Sequence, residues 1–180
     1  MTIRRPDPRD LGGDTPLDED PLAWTFWIRT FLPGDAAAVR EVVLGVLAEF
    51  GLAPDHAATD VDLSDIERHY RARGGEFWVV EDGRGRIVGT CGLWLDAEDP
   101  ARAELRKMYL RPDWRGRGLG AQLLEVALGH AGAQGCRTVE LETNRAMTAA
   151  IGLYRSRGFR EIEGETSSRC DRRFALELPE

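Results

Sequence analysis

The middle of the chain contains a strand-like run, a glycine-rich turn and a helical run in immediate succession. Residues 105–110 have a β-forming composition, and Pro112 with Asp113 ends the run. The turn then alternates three glycines with larger residues: Gly116, Gly118 and Gly120. A glycine turn that opens a helix gathers unpaired backbone N–H groups at the positive end of the helix dipole. Because Arg115 and Arg117 add positive charge, this segment predicts a site for a diphosphate or a similar anion.

Composition places the chain among ordinary globular proteins. It has 180 residues, of which 42% are hydrophobic and 31% charged, and this is enough for one domain with a sizeable core. Residues 1–23 are rich in prolines and acids and predict a flexible leader, so we expect a single domain over residues 24–180. The net charge of -7 argues against nucleic acid as a partner.

Three further features concern the compartment and the metal content. No apolar run reaches the ~18 residues of a transmembrane helix, and the N-terminus lacks the apolar segment of a secretory signal. The three cysteines, Cys91, Cys136 and Cys170, are far apart and form no C-x-x-C pair. The three histidines have no ligand spacing. We therefore expect a cytoplasmic protein with reduced thiols, no membrane contact and no metal.

Hydrophobic periodicity predicts an α+β fold with a mixed sheet. The expected strands lie at about residues 25–31, 77–80, 87–95, 103–110, 138–143, directly after Phe159, and at 169–178. The expected helices lie at 35–50 with Asp35 as N-cap, and at 63–73, 118–134 and 146–157. The strands that form a meander come first, and a single β-α-β crossover is central.

A dinucleotide-binding turn is the main alternative for the glycine segment. Residues 116–121 formally satisfy G-x-G-x-x-[G/A], and Glu140 and Glu142 lie at about the distance of a ribose-binding acid. However, residues 111–115 separate the strand from the first glycine, and the repeated βαβ units of a doubly wound sheet are missing. A phosphate-binding P-loop is excluded as well, because no Gly-Lys-Ser/Thr sequence occurs.

Two motifs in this region resemble one known family. The pattern Arg115-x-x-Gly118-x-Gly120 resembles the [Q/R]-x-x-G-x-[G/A] signature of the GNAT superfamily of acetyl-CoA-dependent N-acetyltransferases. The segment Ala150–Phe159 resembles that family's A-x-x-L-Y-x-x-x-G-F segment. The resemblance is strong over residues 104–159 and extends in element order from about 26 to 178. It implies a mostly antiparallel sheet of about seven strands, flanked by about four helices, with splayed central parallel strands.

The resemblance implies acetyl-CoA as co-substrate and says which residues would hold it. The glycine turn with its arginines would bind the pyrophosphate, and the preceding strand would pair its main chain with the pantetheine arm. The amide of Met108 would polarise the acetyl carbonyl. The candidate cofactor-binding residues are Met108, Tyr109, Leu110, Arg115, Gly116, Arg117, Gly118, Leu119 and Gly120.

The resemblance also suggests the acid and the base. An amine that attacks a thioester must be neutral, and the departing thiolate needs a proton. Tyr154 matches the family's tyrosine that donates this proton, and Glu104 lies where some members carry a catalytic glutamate. Glu142 on the neighbouring strand, or water, is the alternative base. One position departs from the family pattern, because Met147 stands where many members carry an Asn that binds pantetheine, and Asn144 lies three residues too early.

The acetyl acceptor stays open at this point. A primary amine of a small molecule is the first hypothesis; a protein N-terminus or lysine is the second, and a non-catalytic acetyl-CoA sensor is the third. By resemblance, residues 49–63 and 163–169 should line the acceptor side, with Glu49, His56 and Trp94 as candidate contacts. A homodimer is a further expectation by analogy.

Overall fold

The computed structural model describes residues 3–4 and 25–179, which form one sheet of eight strands with four α-helices. The strands are β1 Ile3–Arg4, β2 Phe26–Thr30, β3 Glu76–Asp82, β4 Ile87–Leu95, β5 Arg102–Leu110, β6 Thr138–Thr143, β7 Arg160–Ile162 and β8 Arg172–Glu177. The helices are α1 Ala36–Glu49, α2 Ile66–His69, α3 Leu119–Ala133 and α4 Thr148–Ser156. The strand order in the sheet is β1-β2-β3-β4-β5-β6-β8-β7.

Only one neighbouring pair of strands in this sheet, β5 with β6, is parallel. The parallel pair is the β-α-β crossover through α3. The predicted α+β class, with a mostly antiparallel sheet flanked by helices, is confirmed.

Each face of the sheet carries its own hydrophobic cluster. On one face, α3 and α4 pack Leu123, Leu124 and Tyr154 against the strands. On the other face, α1 packs Val39 and Val43 with residues of α2 and β3. The helical spacing of these apolar residues explains why α1 forms where the sequence predicts it.

Two sequence predictions for the helices are wrong in detail. The second helix was expected over 63–73, but α2 is one short turn between 3₁₀ turns at Val61–Ser64 and Arg71–Arg73. Asp65 has φ −153°, an extended conformation that interrupts the helix, and its side chain caps the Arg68 N–H instead. Asp35 precedes α1 as predicted but does not cap its amides, since its side chain accepts from the Leu32 N–H.

The predicted leader lies almost entirely outside the described residues. Within it, Ile3 and Arg4 form β1, which pairs antiparallel with Ile28 and Trp27 of β2. No helix in the described ranges has the length and apolarity needed to cross a bilayer.

The parallel strands separate part of the way along. Pairing between β5 and β6 runs from Arg102–Thr138 to Leu105–Leu141 and then stops, although both strands continue. The predicted splaying of the central parallel strands is therefore confirmed. It leaves a gap in the sheet beside residues 106–110.

Candidate active site

The glycine turn lies between the end of β5 and the first turn of α3. A 3₁₀ turn at Pro112–Trp114 ends the strand, and Gly116 and Gly118 follow with φ 72° and 78°. These angles lie in the left-handed region, where a side chain is strained. A Cβ at either glycine would meet nothing within 4 Å, so the backbone faces open space. The turn therefore offers accessible amides at the N-terminus of a 15-residue helix.

The two arginines beside the turn differ in their partners. Arg115 makes a bidentate ion pair with Glu49 at 2.6 and 2.8 Å, and its Nε donates to the carbonyl of Leu110. The Nε of Arg117 donates to the Asp113 carbonyl at 3.3 Å. Glu49, one of the candidate acceptor contacts, thus lies beside the glycine turn and does not line the cavity described below. Its carboxylate contacts the guanidinium that the sequence assigns to the pyrophosphate.

Strand β5 contains a bulge at Lys107 and Met108. A register shift against β4 places both residues opposite Cys91. Lys107 has φ 52°, which is uncommon for a residue with a side chain, and the Thr90 hydroxyl donates to its carbonyl at 2.7 Å. Because a bulge bends and twists its strand, it accounts for the divergence of β5 from β6 at this point.

A cavity of about 380 Å³ opens at the gap between β5 and β6. The bulge residues, Tyr109, Tyr154 of α4 and Cys170 line it. Further lining residues come from the loop before α2 and from α2 itself: Ala58, Thr59, Val61, Asp62 and His69. The structure therefore brings Glu104, Met108, Tyr109 and Tyr154 to one cavity, and leaves the glycine turn beyond the end of β5.

Tyr154 is buried at 5% exposure and still lines the cavity. Its ring packs against Phe159 with centroids 5.8 Å apart. Its hydroxyl has no hydrogen-bond partner among the described residues. Burial raises the pKa of Tyr154 above the ordinary value, so the hydroxyl remains protonated and able to donate.

The two candidate bases have different surroundings. Glu104 accepts a hydrogen bond from Nη2 of Arg106 at 2.5 Å. Glu142, across the gap on β6, accepts from the Ser167 backbone N–H at 2.9 Å and has no arginine or lysine partner in the described ranges. Both carboxylates line the cavity, so both stay candidates.

A buried ion cluster, which the sequence did not reveal, lies beside the cavity, and three of its members line it. It contains Asp60, Asp62, Lys107, Arg169 and Tyr70. Arg169 donates from both Nη atoms to Asp60 at 2.5 and 2.6 Å. Lys107 Nζ lies 3.3 Å from a carboxylate oxygen of each aspartate. The Tyr70 hydroxyl donates to Asp62 at 2.5 Å.

Opposing effects set the ionisation of Asp60 within this cluster. Burial by itself would raise its pKa. Hydrogen bonds from Arg169 and from the backbone N–H of Asp55, with the charge of Lys107, outweigh burial and lower the pKa to about 2. Asp60 is therefore ionised at neutral pH and joins the loop before α2 to the loop before β8.

The departure from the family pattern at Met147 also has a structural context. Met147 lines the cavity, and the Thr143 hydroxyl lies 3.8 Å from its sulfur. Asn144 uses its amide within the protein, since it donates to the Arg169 carbonyl and accepts from the Ala146 N–H. Asn144 therefore fixes the turn into α4.

The remaining candidate acceptor contacts lie outside the cavity. His56 is exposed and does not line it. Trp94 stacks under the guanidinium of Arg106, with Cζ 4.5 Å from the ring centroid. Arg106 does line the cavity, and the sequence did not single it out. Arg106 belongs to no recognisable motif, so the sequence alone did not mark it as a functional residue.

Two curated relatives resemble most of this chain. One is an uncharacterised N-acetyltransferase of Escherichia coli (strain K12), YjgM, which is 36% identical over 132 residues, covering 72% of this chain and 78% of that protein. The other is an L-methionine sulfoximine/L-methionine sulfone acetyltransferase of Pseudomonas paraeruginosa, 32% identical over 139 residues, covering 74% and 77%.

Solved structures and a family model agree with these relatives. A GNAT-family acetyltransferase from Staphylococcus aureus Mu50 has a TM-score of 0.78 at 26% identity, over 86% of this chain and 99% of that chain. A putative acetyltransferase from Salmonella typhimurium, solved with its cofactor acetyl-CoA, has a TM-score of 0.69 at 22% identity, over 86% and 95%. The model of the Acetyltransferase (GNAT) family matches residues 45–159. The chain therefore belongs to the GNAT acetyltransferase family.

Proposed function

We propose that this protein transfers an acetyl group from acetyl-CoA to a primary amine of a small molecule, in a ternary complex. One observation carries the proposal. One cavity is bordered by the part of β5 that is not paired with β6, by a protonated tyrosine and by two carboxylates. A glycine turn follows the end of the same strand. This is the order in which an extended nucleotide thioester would need them.

The residues present fit coenzyme A. The open backbone at Gly116 and Gly118 with the α3 N-terminus suits a pyrophosphate, and Arg115 would exchange Glu49 for it. The edge of β5 at Met108–Leu110 that faces β6 pairs with no residue of β6 and suits the amide-bearing pantetheine arm. When bound, acetyl-CoA supplies the activated acetyl group.

Tyr154 serves as the general acid. Its buried hydroxyl is protonated and free to donate to a departing thiolate at the cavity. Glu104 takes the proton from the acceptor amine, directly or through water, and its bond to Arg106 holds it at the cavity wall. Glu142 is the alternative, because its carboxylate is free of a cationic partner within the described part of the chain.

The acceptor is a small molecule. Residues 58–62 and 167–170 bring loops from both sides to the cavity, and the ion pair between Asp60 and Arg169 ties these loops together. A cavity of about 380 Å³ bordered by two connected loops suits a compact amine better than a polypeptide. The Pseudomonas paraeruginosa relative is named for small-molecule acceptors, which supports this choice. The three thiols, none of them in a disulfide, favour a cytoplasmic location.

Release of free thiol from acetyl-CoA, measured with a panel of amines, tests the proposal. Small primary amines should accelerate thiol release, and calorimetry should show acetyl-CoA binding without them. Faster release with peptide N-termini or lysine peptides would instead make the protein a protein acetyltransferase. Tight acetyl-CoA binding with no acceleration by any amine would leave a non-catalytic sensor and contradict the proposal.

A further inference from the structure

Three cationic side chains line the cavity, and two of them are neutralised within the protein. Arg169 gives both Nη atoms to Asp60, and its side chain is 10% exposed. Lys107, at 5% exposure, contacts Asp60, Asp62 and the carbonyl of Thr59. Their charges are matched by buried carboxylates, so these two cations have little left to offer a ligand.

Arg106 differs from both. Its side chain is 30% exposed, and only Nη2 donates, to Glu104. The Nε and Nη1 groups donate to no acceptor among the described residues. The ring of Trp94 supports the guanidinium plane from one side. A guanidinium presents five donors in a planar fork that matches a carboxylate, so Arg106 is an oriented and partly free carboxylate receptor.

The position of Arg106 relates this receptor to the reaction. It lies two residues before Met108 on β5, which is about 7 Å along a strand and less across a bulge. Glu104 and Glu142, the two candidate bases, border the same cavity. A molecule that places its carboxylate on Arg106 therefore places an amine a few bonds away among these carboxylates and close to the bulge.

We propose that the acetyl acceptor is an amino acid or a close analogue, and that Arg106 binds its carboxylate. The inference rests on the proposed function and names the substrate class of that same site. Both charged groups of an amino acid then have a partner in the cavity. Its carboxylate binds the guanidinium of Arg106, and its amine lies beside Glu104 and Glu142.

Matched acceptors test the inference in the wild-type protein. L-Methionine, its methyl ester and 3-(methylthio)propylamine share a side chain and an amine, but only the first carries a carboxylate. A charge-assisted hydrogen bond of the usual strength predicts a kcat/KM about 10- to 100-fold higher for the free acid, mostly through KM. Equal or better use of the ester and the amine would overturn the inference and leave the proposed function standing.

Variants of Arg106 give a second readout. Arg106→Gln should raise the KM for L-methionine by about 10- to 100-fold, leave the KM for acetyl-CoA unchanged, and remove the preference for acid over ester. Arg106→Lys should restore part of the preference. Arg102→Gln is the matched control, because it lies on the same strand but does not line the cavity.

The ratio of acid to ester separates binding from indirect effects. Loss of the ion pair with Glu104 would alter both acceptors alike, so an Arg106→Gln variant that slows both equally would overturn the inference. If no amine accelerates thiol release although acetyl-CoA binds, the proposed function fails and this inference fails with it.

Discussion

The surroundings of Tyr154 indicate a chemical role for this residue more directly than those of any other residue discussed above. A buried hydroxyl without a protein partner is costly unless a ligand or water uses it. Because burial raises its pKa above the ordinary value near 10, the proton is retained throughout the neutral and mildly alkaline range. The hydroxyl therefore carries the proton that a donor needs, and it does not suit a role as base.

Replacement of this tyrosine tests that role. Tyr154→Phe keeps the ring packed against Phe159 and removes only the hydroxyl. We expect kcat to fall about 100-fold or more, because general acid catalysis contributes this much, while the KM for acetyl-CoA stays within about twofold. Steady-state kinetics measure both constants. An unchanged kcat in a folded variant would remove Tyr154 from the mechanism.

At the scale of the elements, the ion pair between Arg169 and Asp60 connects two loops that are 109 positions apart. Its partners are buried, and the carboxylate of Asp60 has no exposed side-chain surface. Removal of Arg169 would leave two buried aspartates, Asp60 and Asp62, beside the single charge of Lys107, so one buried negative charge would lose its compensation. We therefore expect these two loops, which our proposal places at the acceptor side, to depend on this contact for their positions.

Arg169→Met should lower the free energy of unfolding by about 3–5 kcal/mol at neutral pH. Because the pKa of Asp60 is lowered to about 2 in the folded protein, its contribution to the free energy of unfolding is present above the ordinary pKa of 3.8 and is lost as pH falls toward 2. The difference between wild type and variant should therefore shrink below about pH 4. Denaturant unfolding across this range measures it.

Arg172→Met is the control for that experiment, since Arg172 pairs with the exposed Glu161 at the surface. It should lower the free energy of unfolding much less than Arg169→Met does, because solvent screens an exposed ion pair. A loss in Arg169→Met no larger than in this control would show that the ion pair does not hold the loops.

Local signals in the sequence predicted most elements, because the information needed is local. The apolar spacing of α1, the alternation in β6 and the glycines before α3 each lie within one element. Together with the two motifs they were enough to predict the sheet, the crossover and the gap. The short α2 was predicted too long, because Asp65 acts as a cap where the pattern suggested a helix interior.

The rest of the site could not be predicted, because it depends on contacts between distant segments. Lys107 is an ordinary residue of a strand by composition, and nothing in its neighbours marks the bulge. The pairing of Asp60 with Arg169, and of Glu49 with Arg115, needs the folded chain. The role that we propose for Arg106 depends on its stacking against Trp94 and on its position at the cavity, and both exist only in the folded chain.

At the scale of the whole molecule, the net charge of -7 contrasts with the anionic ligand that we propose. Long-range attraction cannot bring a diphosphate to an acidic protein, so binding must depend on local groups. These groups are the α3 N-terminus, the open glycine backbone and Arg115 with Arg117.

Coenzyme A should accordingly stabilise the folded protein. At a ligand concentration of about 100 times Kd, the gain is about 2.7 kcal/mol. For a chain of this size, that gain raises Tm by roughly 5–10 °C in a thermal scan. Arg115→Gln should show a smaller rise, and Arg145→Gln, whose exposed side chain pairs with Asp171, should show the full rise. No shift at millimolar coenzyme A would contradict the assignment of the glycine turn.

The early end of pairing between β5 and β6 has a mechanical consequence. Four residue pairs join these strands, against six between β4 and β5. The two strands are thus paired along only part of their length, and the cavity lies where the pairing ends. A pantetheine arm in the opening would act as a temporary extra strand. Binding and release of coenzyme A would then fill and empty this gap once in each catalytic cycle.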